Sequence, residues 1–77
     1  MNITVINKSA LAKDLWFDEV KMYILLDDGR ELGIPLEWFP RLRQATKKEL
    51  SSWRLIGNGE GVHWKLLDED ILVGALL

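Results

Sequence analysis

The sequence predicts an α+β domain in which an antiparallel three-stranded β-meander is followed by short helices and a C-terminal segment packed on one face. Two observations carry this prediction. Segments with alternating apolar side chains come first in the chain, and helical spacing of apolar residues appears after them. Strands followed by helices, without regular alternation, are typical of α+β proteins. We expect the 77 residues, 1–77, to form a single domain.

Composition narrows the class of protein. Apolar residues make up 48% of the chain and charged residues 29%, which are ordinary values for a globular protein. A net charge of −2 gives no overall bias toward nucleic acid, which normally recruits a basic face. No apolar run is long enough to span a bilayer, and the N-terminus lacks the pattern of a signal peptide. We therefore expect a cytoplasmic protein that does not associate with membranes.

The predicted strands occupy the first half of the chain. Residues 3–6 are a short β-prone run, and residues 11–17 have a period-two spacing with mixed faces, which indicates a strand. Asp18 and Glu19 make a turn before a stronger alternating strand at 20–26, which has one clean apolar face.

A hairpin is predicted after this strand. The pair Asp28-Gly29 suits a type I′ turn, in which both central residues take a positive φ. The return strand covers 32–36. Pro35 has no N–H to donate, so it should end this strand or lie at a sheet edge.

Helical spacing of aromatic and apolar residues then predicts a short helix over 37–45, with Pro40 in its first turn. Thr46 and Glu49 form a capping box, which indicates that a second helical turn begins there.

The last third of the chain is predicted to be mostly extended. Residues 53–56 and 62–64 are extended segments on either side of a glycine-rich loop at 57–61. The tail 70–77 suits a short helix capped by Asp70 or a final strand, and we favour the helix.

His63, Asp68, Glu69 and Asp70 are the one cluster with ligand-type atoms. A metal site or an acid–base pair can be considered there. However, consecutive carboxylates diverge, and the chain has no second histidine and no cysteine. The favoured interpretation is structural, with His63 and Trp64 packed beneath the acidic turn and one carboxylate holding either the imidazole or nearby backbone N–H groups. No catalytic residue, metal ligand or cofactor is predicted.

Trp38 and Arg41 are candidates for a partner-binding surface, because exposed Trp and Arg are favoured at protein interfaces. The competing interpretation is that these aromatic and apolar residues build the core, and it is the better one for Phe39 and Leu42. The residues predicted to bind a partner are Trp38, Arg41, His63, Trp64, Asp68, Glu69 and Asp70.

A basic stretch at Arg41, Arg43, Lys47 and Lys48 is a weak candidate for nucleic-acid contact within a complex. A run of charges on a short helix is more often a solvated face. The glycines of residues 57–61 match neither a Walker loop nor a dinucleotide fingerprint, and the serines lie in no nucleophile motif.

Taken together, these short motifs resemble the bacterial domain-of-unknown-function family 2442, over roughly residues 10–77. The motifs that carry the resemblance are Asp28-Gly29-Arg30, Pro35-Leu36-x-Trp38-Phe39-Pro40-Arg41-Leu42, Ala45-Thr46, Trp53-x-Leu55, the Gly57–Gly61 loop, His63-Trp64 and Leu67-Asp68-Glu69-Asp70-Ile71. One departure is Lys65, where the family pattern has proline.

The resemblance implies a small α+β domain whose gene is often the second of a two-gene pair, which has led to an antitoxin-like role being assigned to such proteins. Some members carry an added helix-turn-helix domain, which we do not expect in a chain that ends at Leu77. The first hypothesis is a non-enzymatic protein-interaction module. Its partner would be a small cognate protein that acts as a toxin, or a second copy of the chain itself. The alternative is a small-ligand or nucleic-acid-binding domain that uses the Arg41–Lys48 face or a pocket at His63-Trp64.

Overall fold

The structure, a computed structural model, describes residues 10–77, and the β-prone run predicted at residues 3–6 lies outside them. Within the described part, six strands form two antiparallel sheets with the orders β1-β2-β3 and β4-β5-β6. The strands of the first sheet are β1 (Ala12–Phe17), β2 (Lys21–Leu26) and β3 (Glu31–Pro35). Those of the second sheet are β4 (Trp53–Ile56), β5 (Gly61–Trp64) and β6 (Glu69–Leu72).

Short helical segments connect and follow the sheets. They are a 3₁₀ turn at Leu36–Trp38, α1 (Pro40–Arg43), α2 (Lys47–Leu50), a turn at Gly57–Gly59 and a 3₁₀ turn at Val73–Leu76. The predicted α+β class and the initial three-stranded meander are therefore confirmed. The second sheet was not predicted as a sheet, although two of its strands were expected to be extended.

The helix predicted over 37–45 is interrupted at Phe39. This residue has φ −128° and ψ 89°, which is outside the helical region. Its conformation follows from Pro40, because a proline ring pushes the preceding residue toward extended geometry. The capping box is confirmed: the Glu49 N–H donates to Thr46 Oγ1 at 3.1 Å, and the Thr46 N–H donates to Glu49 Oε1 at 2.8 Å.

The hairpin between β2 and β3 differs in detail from its prediction. Gly29 has φ +92°, whereas Asp28 is not in the left-handed region, so the turn is not type I′. The Gly29 N–H donates to the Leu26 carbonyl at 3.1 Å, and the Leu26 N–H donates to the Arg30 carbonyl at 2.8 Å. This is the three-residue loop in which a type I turn precedes a glycine. Pro35 ends the edge strand β3, as predicted.

The C-terminal segment is the main correction. Residues 69–72 form β6 rather than part of a helix, and one short 3₁₀ turn follows. Asp70 is therefore not a helix cap, and it lies opposite His63 in the β5–β6 ladder. Ile71 and Val73 are buried while Leu72 is exposed, which is the alternation of a strand.

A single hydrophobic core joins the two sheets. Met22 and Ile24 of the first sheet and Val62 and Trp64 of the second belong to one buried cluster, with Leu42 of α1. Burial of each such side chain contributes about 1.5–3 kcal/mol. The core holds the β1–β2 end of the first sheet beside α2 and the start of β4.

Candidate partner-binding groove

An open groove of about 770 Å³ lies between the β1–β2 end of the first sheet and the segment that carries α1, α2 and the start of β4. Its lining is Leu15, Trp16, Phe17, Asp18, Glu19, Val20, Leu36, Leu42, Arg43, Ala45, Lys47, Leu50, Ser51 and Trp53. Most of these side chains are apolar, and Leu15, Leu36 and Leu42 are buried core residues. The groove is thus an extension of the core that is open to solvent.

Two exposed apolar side chains stand at this groove. Val20 is 60% exposed and Trp16 is 38% exposed. Val20 was predicted to belong to the apolar face of a strand, but it lies in the turn before β2 and points away from the core. Large apolar side chains left in water beside a concave surface are characteristic of interaction sites.

The indole of Trp16 is held in place from one side. Its ring stacks on Tyr23, with ring centroids 5.8 Å apart and an angle of 13° between the planes. Tyr23 in turn lies over the backbone of Gly33 in β3: a Cβ there would stand 3.5 Å from Tyr23 Cε1. The row Trp16–Tyr23–Gly33 therefore fixes the orientation of the indole that lines the groove.

The acidic wall of the groove is built on Asp18. Its carboxylate accepts hydrogen bonds from the Tyr23 hydroxyl at 2.7 Å and from the backbone N–H groups of Val20 and Lys21 at 2.8 and 2.7 Å. The Tyr23 hydroxyl bond, followed by the two backbone bonds, lowers the pKa of Asp18, and the same contact raises the pKa of Tyr23. This network holds both the turn and the negative charge in place.

The opposite wall carries positive charge. Arg43 and Lys47 line the groove, and among residues 10–77 neither forms an ion pair. The predicted basic stretch is divided by the fold, because Arg41 turns to the second sheet and Lys48 does not line the groove. Two of the four basic residues thus line the groove and two do not, and the nucleic-acid contact stays a prediction.

The residues predicted as interface anchors lie outside the groove. Trp38 is 62% exposed at the end of its 3₁₀ turn. Arg41 Nε lies 3.9 Å from Glu69 Oε2, a solvent-exposed pair of the kind that contributes less than about 1 kcal/mol. Asp68 has φ +49° in the turn between β5 and β6. Neither Trp38 nor the acidic turn at residues 68–70 lines the groove.

His63 is part of a row of polar side chains across the second sheet. In the ladder its neighbours are Arg54 of β4 and Asp70 of β6, and His63 Nδ1 lies 2.6 Å from Asp70 Oδ1. This contact matches the structural interpretation, in which one carboxylate holds the imidazole. The described residues contain no group of three or more His, Asp or Glu side chains placed to hold a metal ion.

Trp64 must be removed from the predicted partner-binding residues. Its side chain is 0% exposed, and its Nε1–H donates to the Leu50 carbonyl at 3.1 Å. The ring also lies 6.5 Å from that of Phe17, centroid to centroid. Trp64 therefore belongs to the core and joins α2 to the second sheet, and its buried ring does not line the groove.

Comparison with protein families places the chain. Residues 12–77 match the profile of the family described as protein of unknown function (DUF2442). The chain belongs to this family. It is also similar to the crystal structure of a protein of unknown function from Rhodospirillum rubrum ATCC 11170, with 25% identity and a TM-score of 0.76 over 87% of this chain and 83% of that one. No curated protein matches the chain.

Sequence reasoning did not find the groove of this DUF2442 member. Trp16, Val20 and Asp18 were assigned to strands and a turn, while Arg43 and Lys47 were considered as a separate basic stretch. These residues come together because the core folds the β1–β2 turn against α2, which is a tertiary contact. The one local signal was Val20, an apolar residue directly after the Asp18-Glu19 turn.

Within the described residues, no helix is long and apolar enough to cross a membrane.

Proposed function

We propose that this domain is a non-enzymatic protein-interaction module that binds a small cognate protein in the groove, in an antitoxin-like role. The observation that carries the proposal is the groove itself, in which exposed Trp16 and Val20 stand beside an apolar floor. Such a surface gains free energy when another protein covers it, at about 25 cal/mol per Å² of apolar area. The antitoxin-like part of the proposal rests on the two-gene arrangement that the family resemblance implies.

The charges of the groove support a protein partner. Arg43 and Lys47 on one wall oppose Asp18 and Glu19 on the other, so the groove offers both signs of charge. Charges around an apolar centre set the orientation and the association rate of a partner more than its affinity. A single small anion or cation would use only one wall, whereas a polypeptide segment can use both.

Co-expression with the protein encoded beside its gene tests the proposal. We expect the two proteins to co-purify, and Val20→Asp to weaken the complex at least tenfold because it places a charge in the apolar groove. The matched control is Leu72→Asp, since Leu72 is 65% exposed but lies outside the groove. Leu72→Asp should leave the affinity unchanged.

The antitoxin-like role has its own readout. The neighbouring protein, expressed alone, should slow cell growth, and the wild-type chain should relieve this effect while Val20→Asp does not. A neighbour that neither binds the chain nor harms cells overturns the proposal. Equal loss of binding in Val20→Asp and Leu72→Asp would place the interface elsewhere on the molecule.

A further inference from the structure

We propose that the groove holds an extended segment of the partner protein, which pairs as an added strand with the edge of β1 that no other strand of residues 10–77 occupies. This inference rests on the proposed function and specifies the binding mode of the same groove. It follows from the hydrogen bonding of β1, from the residues that line the groove and from the charge of the wall opposite β1.

β1 is an edge strand of the first sheet and pairs with β2 alone among the described strands. The Asp18 N–H donates to the Lys21 carbonyl at 3.0 Å, which makes these two residues a hydrogen-bonded pair. In an antiparallel ladder such pairs alternate, so the next one is Trp16 with Tyr23. The backbone N–H and C=O groups of Leu15 and Phe17 therefore point away from β2.

Three of these four outward groups have no hydrogen-bond partner within the part of the chain that the structure describes. The Leu15 N–H donates to the Asp14 carboxylate at 2.7 Å, whereas the Leu15 carbonyl and both backbone groups of Phe17 have no hydrogen-bond partner among residues 10–77. An unpaired strand edge is a template for another strand, because each backbone group left without a partner gains a hydrogen bond.

The groove lies along this same edge. Every residue from Leu15 to Val20 lines it. Leu15, Trp16 and Phe17 are the last three residues of β1, and their side chains alternate between the two faces of the sheet, so a groove that contacts all three lies at the edge of the strand. Asp18, Glu19 and Val20 line the groove from the turn that follows. A segment in the groove is therefore beside the carbonyl of Leu15 and the N–H of Phe17, which are unpaired among the described residues.

The chemistry of the added strand follows from the side chains below it. Its inward side chains would meet the partly exposed apolar residues Ala45, Leu50 and Trp53. At the lip they would meet Arg43 and Lys47, which favours a carboxylate at that position. The occupant is thus an extended segment with apolar residues at every second position and an acidic residue among them.

A phage library of random dodecapeptides, selected on the immobilised full chain, tests the binding mode. We expect selected peptides to alternate apolar residues and to carry an inward Asp or Glu. The best peptide is then synthesised with N-methyl groups on either set of alternate amides. One set should weaken binding about tenfold or more, because it removes hydrogen bonds to β1, while the other changes it less than about twofold.

Charge reversal supplies the matched control. Lys47→Glu should weaken the acidic peptide about fivefold or more, whereas Lys48→Glu, the same change on the next residue outside the groove, should not. A selection that yields no binding peptide, equal effects of both N-methyl sets, or equal effects of the two lysine variants overturns the inference. If the neighbouring protein fails to co-purify but the peptide shows the alternation, the proposed function fails and the binding mode stands. If the neighbour co-purifies and neither N-methyl set weakens peptide binding, the proposed function stands and the binding mode fails.

Discussion

At the scale of single residues, the tryptophans show how differently one residue type can be used. Trp64 is fully buried and hydrogen-bonded, Trp38 is exposed, and Trp16 is stacked on Tyr23 beside the groove. The sequence indicates that aromatic residues must supply much of this small core, but not which ones. The choice depends on which face of each strand or turn meets the second sheet, and that is decided by tertiary packing.

Replacement of Trp64 by phenylalanine tests its assignment to the core. The variant loses the bond to the Leu50 carbonyl and leaves a small void, so we expect the free energy of unfolding to fall by about 2 kcal/mol. Trp38→Phe, at an exposed site, should change it by less than about 0.5 kcal/mol. Urea denaturation followed by circular dichroism measures both, and similar losses would contradict the assignment.

Asp18 gives the turn beside the groove a pH dependence. Because its pKa is lowered in the folded chain, its charge stabilises the fold above the ordinary value of 3.8, and this contribution is lost as the pH falls through the folded pKa. Asp18→Asn should therefore lower the urea midpoint at near-neutral pH, and the difference from wild type should shrink below pH 3.8. The control Glu19→Gln removes a carboxylate of the same turn to which residues 10–77 donate no hydrogen bond. A difference that is constant with pH would refute the role of Asp18.

At the scale of elements, the sequence was most informative where the controlling contacts are local. The Thr46 capping box and the end of β3 at Pro35 follow from neighbouring residues, and both were predicted correctly. β6 was not, because Asp70 followed by apolar residues suits a capped helix as well as a strand. The strand conformation of residues 69–72 is decided by their pairing with β5, in which His63 and Asp70 lie opposite each other.

The turn at Gly57–Gly59 makes a contact with β1 that could not be predicted from the sequence. Gly59 has φ +103°, and a Cβ there would overlap the Ala12 carbonyl oxygen of β1. The glycine thus permits the second sheet to pack directly on the start of the first. From sequence alone this glycine looked like one of several in a loop.

A methyl group at Gly59 should separate these elements. We expect Gly59→Ala to lower the free energy of unfolding by more than about 2 kcal/mol, through both the overlap and the left-handed φ. Gly74→Ala is the control, because a Cβ there has nothing within 4 Å. It should change stability by less than about 1 kcal/mol, in the stabilising direction. Thermal unfolding measures both, and a tolerated Gly59→Ala would show that the turn can move away from β1.

At the scale of the whole molecule, the two sheets share one core, as the tilted contact between Phe17 and Trp64 illustrates. The fold class was predictable because it depends on the order of alternating and helical segments. The groove was not, because its walls come from the β1–β2 turn and from α2, which lie far apart in sequence. From the sequence, a core and a surface position were equally open for Trp38, which is exposed, and a contact between His63 and a carboxylate was one of two alternatives considered for the acidic turn.

The single domain over 1–77 stays a prediction, and cooperative unfolding tests it. Because one core joins both sheets, we expect tryptophan fluorescence and far-ultraviolet circular dichroism to give the same urea midpoint and slope. A first transition confined to one probe would show instead that one sheet can unfold while the other stays folded.

The stacked indole described above has a spectroscopic consequence. Trp16 and Trp53 both line the groove, and Tyr23, the one tyrosine of the chain, lies against Trp16 at a distance that favours excitation transfer between the rings. We expect dissolved quenchers such as acrylamide to reach the partly exposed indole of Trp16. Trp38 is 62% exposed and lies outside the groove, so its replacement by phenylalanine removes a competing signal. In that variant the fluorescence of the domain should follow the occupancy of the groove in real time, without a label on either protein.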